Sequence, residues 1–409
     1  MQNSKMTSRF ASLLLHGSLF AASCTFMACS REEIAPANPT VGGSTIDSDA
    51  RQTNANGIPG KYIVVLKEAA VATAESDDYT EKVRKVKNKA DNLLRSKGVR
   101  PEKVTHTYGN VLKGFAVELS SQEATALALD PEVAYVEADQ VMSISQTSTT
   151  TTTTQPAQTV PYGITRVGRG DGTGRTAWVI DTGIQLDHPD LNVNVSRSRS
   201  FVTNVTSPTD GNGHGTHVAG TIGAKNNTIG VVGVAANATL VAIRVLDSNG
   251  SGTSSGVIAG VDYVGANGLA GNVANMSLGG GVSQALDDAV IRAANKGILF
   301  AVAAGNDAIS ATLHSPARVN HTNVFTISAM DNTDTFASFS CFGNPPIDYC
   351  MPGVNINSTY IGGRYAGMSG TSMAAPHMAG ILLMRGKAFT LSGNVKNDRD
   401  GTPDRIARM

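Results

Sequence analysis

Apolar residues along this chain follow two different patterns. Between residues 58 and 142, short apolar runs alternate with charged stretches. Tyr62-Ile63-Val64-Val65-Leu66 reads as a strand and residues 78–97 as a charged amphipathic helix. Residues 111–119 alternate around a glycine as a strand, 121–129 read as a capped helix, and 134–137 as a last strand. The order β-α-β-α-β, with 104–108 as a candidate further strand, predicts a small ferredoxin-like α/β sandwich. From residue 160 to 391 the apolar runs are denser and end in small polar residues. Ala177-Trp178-Val179-Ile180 and Ala301-Val302-Ala303-Ala304 have the unbroken character of strands buried on both faces. The small-residue runs after His214 and Ser372 read as tightly packed helices.

Other stretches show no such periodicity. Residues 30–57 are a polar, flexible spacer. Residues 143–159 include six threonines from Thr149 to Thr154 and read as an exposed linker. Residues 392–409 read as a solvated polar tail, although Asp398, Asp400 and Asp404 have a spacing reminiscent of a calcium loop. At the other end, residues 1–29 form an export signal. Lys5 and Arg9 precede an apolar and small stretch that ends at Arg31-Glu32-Glu33. Cys29, after Phe26-Met27-Ala28, resembles a bacterial lipoprotein acylation site, and Cys24 is the competing position. Acyl chains there would tether the protein to a membrane; an ordinary signal peptide would discard both cysteines.

Composition narrows the function classes. The 409 residues carry 33 basic and 33 acidic side chains, a balance that points away from nucleic acid as a partner. Export leaves Cys341 and Cys350 as the remaining cysteines, either a disulfide in an oxidising compartment or two free thiols.

The candidate chemistry lies at the ends of the apolar runs. Gly370-Thr371-Ser372 presents a hydroxyl where a helix begins, and unpaired N–H groups there favour negative charge. Alone, such a turn is an ordinary helix cap. Asp181 closes an apolar strand, at the edge where open α/β sheets bind ligands. His214 lies in the glycine-rich segment 210–220. His217 follows at i+3, but no further ligand at metal spacing accompanies the pair. A nucleophilic serine needs a base, and the base needs a carboxylate to fix its tautomer. Asn306 ends another apolar strand and offers an amide donor for an oxyanion, beside the Ser372 N–H.

These motifs together resemble the subtilisin-like serine proteases, most closely the proteinase K branch, over roughly residues 160 to 390. The matching stretches are residues 179–184, 210–220, 244–252, 277–281, 303–306 and Ile361-Gly362-Gly363 leading into Ser372. The resemblance implies a three-layer α/β fold, a mainly parallel sheet flanked by helices. It implies a serine endopeptidase with Asp181, His214 and Ser372 as triad and Asn306 as oxyanion donor, needing no cofactor for catalysis. Substrate would pair with two edges, Gly250-Ser251-Gly252 and Ser277-Leu278-Gly279. The primary pocket would lie between the latter and Ala303-Ala304-Gly305. Those walls carry no charge, so broad specificity for apolar or aromatic residues is expected. Asp348, with the carbonyls of Thr322 and Val324, matches a structural calcium site of that branch.

The N-terminal sandwich is similar to the inhibitor-type propeptide of the same family. That similarity implies a self-inhibited precursor cut between Ser143 and Gln158, with the mature domain starting near Val160. The partners implied are protein or peptide substrates and the chain's own propeptide, the enzyme itself being a monomer exported from a bacterium. A different class, a catalytically silent protein that holds peptides in the same groove, would not react with a fluorophosphonate. A serine-carboxyl protease would need a glutamate and an aspartate where His214 and Asn306 stand.

Overall fold

A computed structural model describes residues 57–144, 147–152 and 155–409. The segment expected to be an export signal, with Cys24 and Cys29, lies outside the described residues. Thr176–Asp181 is an inner strand of a seven-stranded sheet, between Val273–Met276 and Thr239–Arg244. Beyond Val273–Met276 come Leu299–Ala303, Val324–Met330 and Ile347–Pro352; beyond Thr239–Arg244 comes Arg199–Ser200. Every pairing is parallel. Parallel strands require long crossovers and bury both faces, which explains their unbroken apolar runs. Ala177 and Val179 face one core with residues of helices His214–Gly223 and Thr371–Arg385. Trp178 and Ile180 face the other, with helices Ser254–Asn267 and Gln284–Asn295. This is the three-layer α/β arrangement expected from the resemblance.

The N-terminal sandwich also forms, with 104–108 as a full member. Its antiparallel strands lie in the order Val133–Ser143, Gly57–Leu66, Gly114–Glu118, Val104–Tyr108. Asp78 caps helix Tyr79–Ser96, and Ser120 with Glu123 makes a reciprocal capping box on Ser121–Ala128. One sheet face, with Val64, Phe115 and Val117, packs on those helices. The other, with Ile63, Val65 and Ala116, joins the apolar cluster that contains Val261 and Ala289 of the large domain. The sheet therefore lies over two helices, and carboxylates fix it there. Glu137 accepts the N–H groups of Gln284 and Ala285 and the Ser283 hydroxyl at 3.0, 3.3 and 2.5 Å. Asp139 accepts the Ser255 N–H and hydroxyl at 3.0 and 2.6 Å. Each carboxylate sits at a helix N-terminus, where orphan donors and the dipole favour it. In the opposite sense, Asp262 of the large domain accepts the N–H groups of Gly109, Asn110 and Val111.

Two expectations need correction, and one open alternative is decided. The threonine run is not only a linker, because Thr147–Thr152 pairs antiparallel with Arg364–Ser369. Threonine suits an extended backbone, and an edge strand offers unpaired partners. The tail is not simply solvated. Thr390–Asn394 and Arg405–Arg408 form a hairpin that buries Val395, Ile406 and Ala407, and Asp404 accepts the Ser328 hydroxyl at 2.5 Å. Cys341 and Cys350 are free, buried thiols. Cys341 packs in the cluster with Ala304 and Ala311, Cys350 in a separate one with Met330 and Ile406.

Candidate active site

The carboxyl ends of the parallel strands bring Asp181 and Asn306 to the helices that carry His214 and Ser372. Asp181 is the last residue of its strand, and His214 opens helix His214–Gly223. His214 Nδ1 lies 2.7 Å from Asp181 Oδ1, with both side chains fully buried. That contact makes Nδ1 the protonated nitrogen, so Nε2 carries the lone pair of the neutral ring. Asp181 Oδ1 also accepts the Thr182 N–H at 2.7 Å. Asp210 steadies the helix entry, accepting N–H groups from Asn212, Gly213 and Thr216 and hydroxyls from Thr182 and Thr216. Asp210 belongs to a recognised motif, but its chemistry resembles any loop aspartate and gave no signal of this role.

Ser372 is buried in the first turn of Thr371–Arg385. Its hydroxyl donates to the Ser277 carbonyl at 3.1 Å, and among the described residues His214 Nε2 has no hydrogen-bond partner. The serine–histidine bond is thus not made in this arrangement, as is common where catalytic contacts tighten only around substrate. Pro376, inside the helix, has no N–H to give the carbonyl four residues earlier. That carbonyl belongs to Ser372 and accepts the Ser277 hydroxyl instead, at 2.8 Å. Ser277 is in turn held by the Asn275 amide at 2.9 Å. Asn306 Oδ1 accepts the Thr371 N–H at 2.8 Å and its hydroxyl at 3.0 Å. A backbone N–H can only donate, so the oxygen of Asn306 faces Thr371 and its NH₂ end points elsewhere.

A groove of about 550 Å³ runs past these groups, lined by Leu278, Gly279, Ala303, Ala304, Gly305, Asn306 and Ser372 among others. The expected apolar wall is present, with two polar additions: Asp307 and His314 also line it. Asp307 directly follows the recognised 303–306 motif and His314 comes seven residues later, yet neither residue was marked by that motif. Ser277 acts behind the groove, through the bonds above. Residues of the sandwich's last strand enter from the other side. Val141, Met142 and Ser143 pair antiparallel with Thr253, Gly252 and Ser251, while Ser143 and Met142 also pair with Gly279 and Gly280. Gly250 accepts the Ile144 N–H at 3.1 Å. Both edges need glycine: a Cβ on Gly280 would lie 2.7 Å from the Val141 carbonyl oxygen, and Gly250 has a φ of +74°, in the left-handed region.

The remaining candidates lie elsewhere. Asp348 is half-buried on strand Ile347–Pro352, and its Oδ2 accepts the Thr326 N–H at 2.8 Å. Burial pushes its carboxyl up to about 6. Val324 begins the neighbouring strand, two residues after Thr322. His217 is not part of a metal pair: its Nε2 faces the carbonyls of Ile356 and Ala366 at 2.9 and 3.0 Å.

Comparison with known proteins agrees with this geometry. Residues 172–390 match the model of the Subtilase family and residues 61–145 that of the peptidase inhibitor I9 family. The chain is 41% identical over 332 residues to an extracellular serine proteinase of Thermus sp. (strain Rt41A), covering 79% of each. It is 45% identical over 273 residues to an alkaline protease of Alkalihalobacillus alcalophilus, covering 65% of this chain and 67% of that one. Among solved structures, a cold adapted subtilisin-like serine proteinase superposes with a TM-score of 0.53 at 39% identity, covering 60% of this chain and 96% of that one.

Two other histidines near these helices are buried and neutral. Burial lowers His217 to about 3 and His377 to about 4. In the unfolded chain both would bind a proton near pH 6.5. Folded pKa values below the unfolded one give stability that is complete above about pH 6.5. It is lost as pH falls towards the folded values, by about 1.4 kcal/mol per pH unit for each ring. NMR titration of the full-length Ser372→Ala protein is expected to find both rings neutral at pH 5; protonation of either there would contradict this account.

Proposed function

The chain belongs to the subtilase family of serine proteases, and from that premise we propose that Asp181, His214 and Ser372 are its catalytic triad. The observation that carries the proposal is the buried 2.7 Å contact between Asp181 and His214, beside a groove that Ser372 and Asn306 both line. To react, the Ser372 hydroxyl turns from the Ser277 carbonyl to His214 Nε2. Its oxygen attacks the scissile carbonyl while His214 takes the proton, and Asp181 stabilises the imidazolium. The Ser372 N–H and the Asn306 amide hold the oxyanion. Collapse of the intermediate expels the amine, which receives the proton from His214. Water then attacks the acyl-enzyme by the same route and frees Ser372.

The surroundings support the finer readings. The sandwich belongs to the I9 inhibitor family, and its last strand pairs with both Gly250-Ser251-Gly252 and Gly279 by β-augmentation. We read that strand as the self-inhibitor of the precursor. The apolar part of the lining, Leu278, Ala303, Ala304, Ile309 and Leu313, supports broad cleavage after apolar or aromatic residues, with Asp307 and His314 as the polar exceptions. The leader of the sequence and the extracellular relative support export, with Cys29 or Cys24 as the candidate lipid anchor. A structural calcium at Asp348 with the Thr322 and Val324 carbonyls fits in kind, since all three are oxygen donors and burial holds the carboxyl up despite the nearby Arg405 charge.

The maturation cut falls in a short window. Pairing with the two groove edges ends at Ser143, and pairing with Arg364–Ser369 begins at Thr147. Wild-type protein is expected to be cut between Ile144 and Thr147, while Ser372→Ala accumulates as intact precursor. N-terminal sequencing from a host without other proteases checks both, and normal maturation of Ser372→Ala would refute self-processing. Asn306→Ala should lower kcat by about 10²–10³ with little change in KM, a magnitude taken from the equivalent donor in subtilisin. On a peptide library, cleavage is expected after apolar and aromatic residues; efficient cleavage only after Lys or Arg would refute the pocket reading.

A further inference from the structure

Behind Gly305, at the wall of the groove, three side chains from two connections converge: Asp307 and His314 from the one between Leu299–Ala303 and Val324–Met330, and Cys341 from the one that follows. One ligand atom from each, a carboxylate oxygen, an imidazole nitrogen and a thiol sulfur, lies within 4.8 Å of the other two. The mechanism uses none of them. His314 Nε2 stands 3.3 Å from Asp307 Oδ2. That is about the N···O edge of a tetrahedron with metal–ligand bonds of about 2.0–2.1 Å. On the far side of the ring, Nδ1 faces the Gly280 carbonyl at 3.3 Å. With Nδ1–H donating there, Nε2 presents a lone pair to the cluster, the outer contact that metal-bound histidines characteristically make. The cluster needs a glycine beside it, since a Cβ on Gly305 would stand 2.9 Å from Cys341 Sγ and 3.6 Å from His314 Nε2.

We propose that Asp307 Oδ2, His314 Nε2 and Cys341 Sγ form a three-ligand site for a zinc-class divalent cation, through which that ion regulates the groove. One thiolate, one imidazole and one carboxylate suit a borderline-soft, tetrahedral ion; calcium and magnesium prefer oxygen donors alone. Binding releases the Cys341 proton to solvent, and a fourth position remains for water. The three ligands have unequal access: Cys341 is buried, His314 half-buried and Asp307 exposed. The ion would thus enter from the Asp307 side. Held there, it locks the Asp307 and His314 side chains in place at the pocket wall, which both residues line, so it competes with bulky substrate side chains. This regulatory consequence rests on the groove being the substrate pocket; the binding of the ion does not.

Cobalt(II) titrated into full-length Ser372→Ala protein tests the site itself. The expected result is a thiolate-to-cobalt charge-transfer band that saturates at one equivalent and is displaced by zinc. Cys341→Ser should abolish the band. Asp307→Asn, at an exposed position that does not threaten the fold, should weaken binding by at least about tenfold. No band in the parent protein, or an equal band in Cys341→Ser, overturns the proposal. For mature wild-type enzyme, zinc should raise KM for substrates with a large apolar residue before the scissile bond and leave kcat unchanged. The same zinc sensitivity in Asp307→Asn would place inhibition at His214 and overturn the regulatory role.

Discussion

A single hydrogen bond between two side chains shut away from water, Asp181 to His214, constrains the rest of the large domain. An ionised carboxylate in such a place is expensive unless partners replace its hydration. The replacement is a connected network. Thr182 gives its N–H to Asp181 and its hydroxyl to Asp210, and takes the N–H of Gly215. Asp210 then gathers the turn that precedes His214. A strand end is thereby stitched to a helix start, and only a sheet whose strands all point the same way delivers several such ends to one edge. Because both faces of that sheet are covered, the network sits in a dry surrounding that strengthens each of its bonds.

Much of this was legible in the sequence because the informative residues sit at element ends. Asp181 and Asn306 each terminate an apolar run, and Ser372 begins one, so periodicity and chemistry point to the same positions. The sandwich was legible for a similar reason: Asp78 and the Ser120–Glu123 pair carry helix starts in their own local pattern. What escaped depends on long-range partners. Residues 147–152 have no apolar alternation, and their pairing exists because Arg364–Ser369 offers an edge. Ile406 and Ala407 sit in a charged tail that looks soluble until Ser328 and Asn344 engage Asp404. Asp307 and His314 lie on one connection and Cys341 on the next, and no spacing rule encodes their meeting. The two cysteines were equally ambiguous, since proximity in sequence says nothing of the different clusters they enter.

The inhibitory sandwich uses the enzyme's own folding requirements. Helices Ser254–Asn267 and Gln284–Asn295 have caps of their own in Thr253 and Ser283. Glu137 and Asp139 add charge at those same ends, while Asp262 returns the favour to the loop at Gly109. Charge and apolar burial thus act over one surface, so that a helix pair of the enzyme and a sheet of the inhibitor become mutual scaffolds.

Between Ser143 and Thr147 the chain passes from one ladder to another, and this crossing separates two thermodynamic regimes. While the chain is continuous, both ladders are held as parts of one molecule, and the inhibitor's presence does not depend on concentration. Local closure carries an effective concentration that short tethers place in the millimolar range. Once the crossing is severed, the same contacts must hold a separate molecule. Occupancy of the groove then follows mass action, and dilution outside the cell favours the open enzyme. One broken peptide bond would convert a permanent partner into a dissociable ligand without altering any contact on the interface.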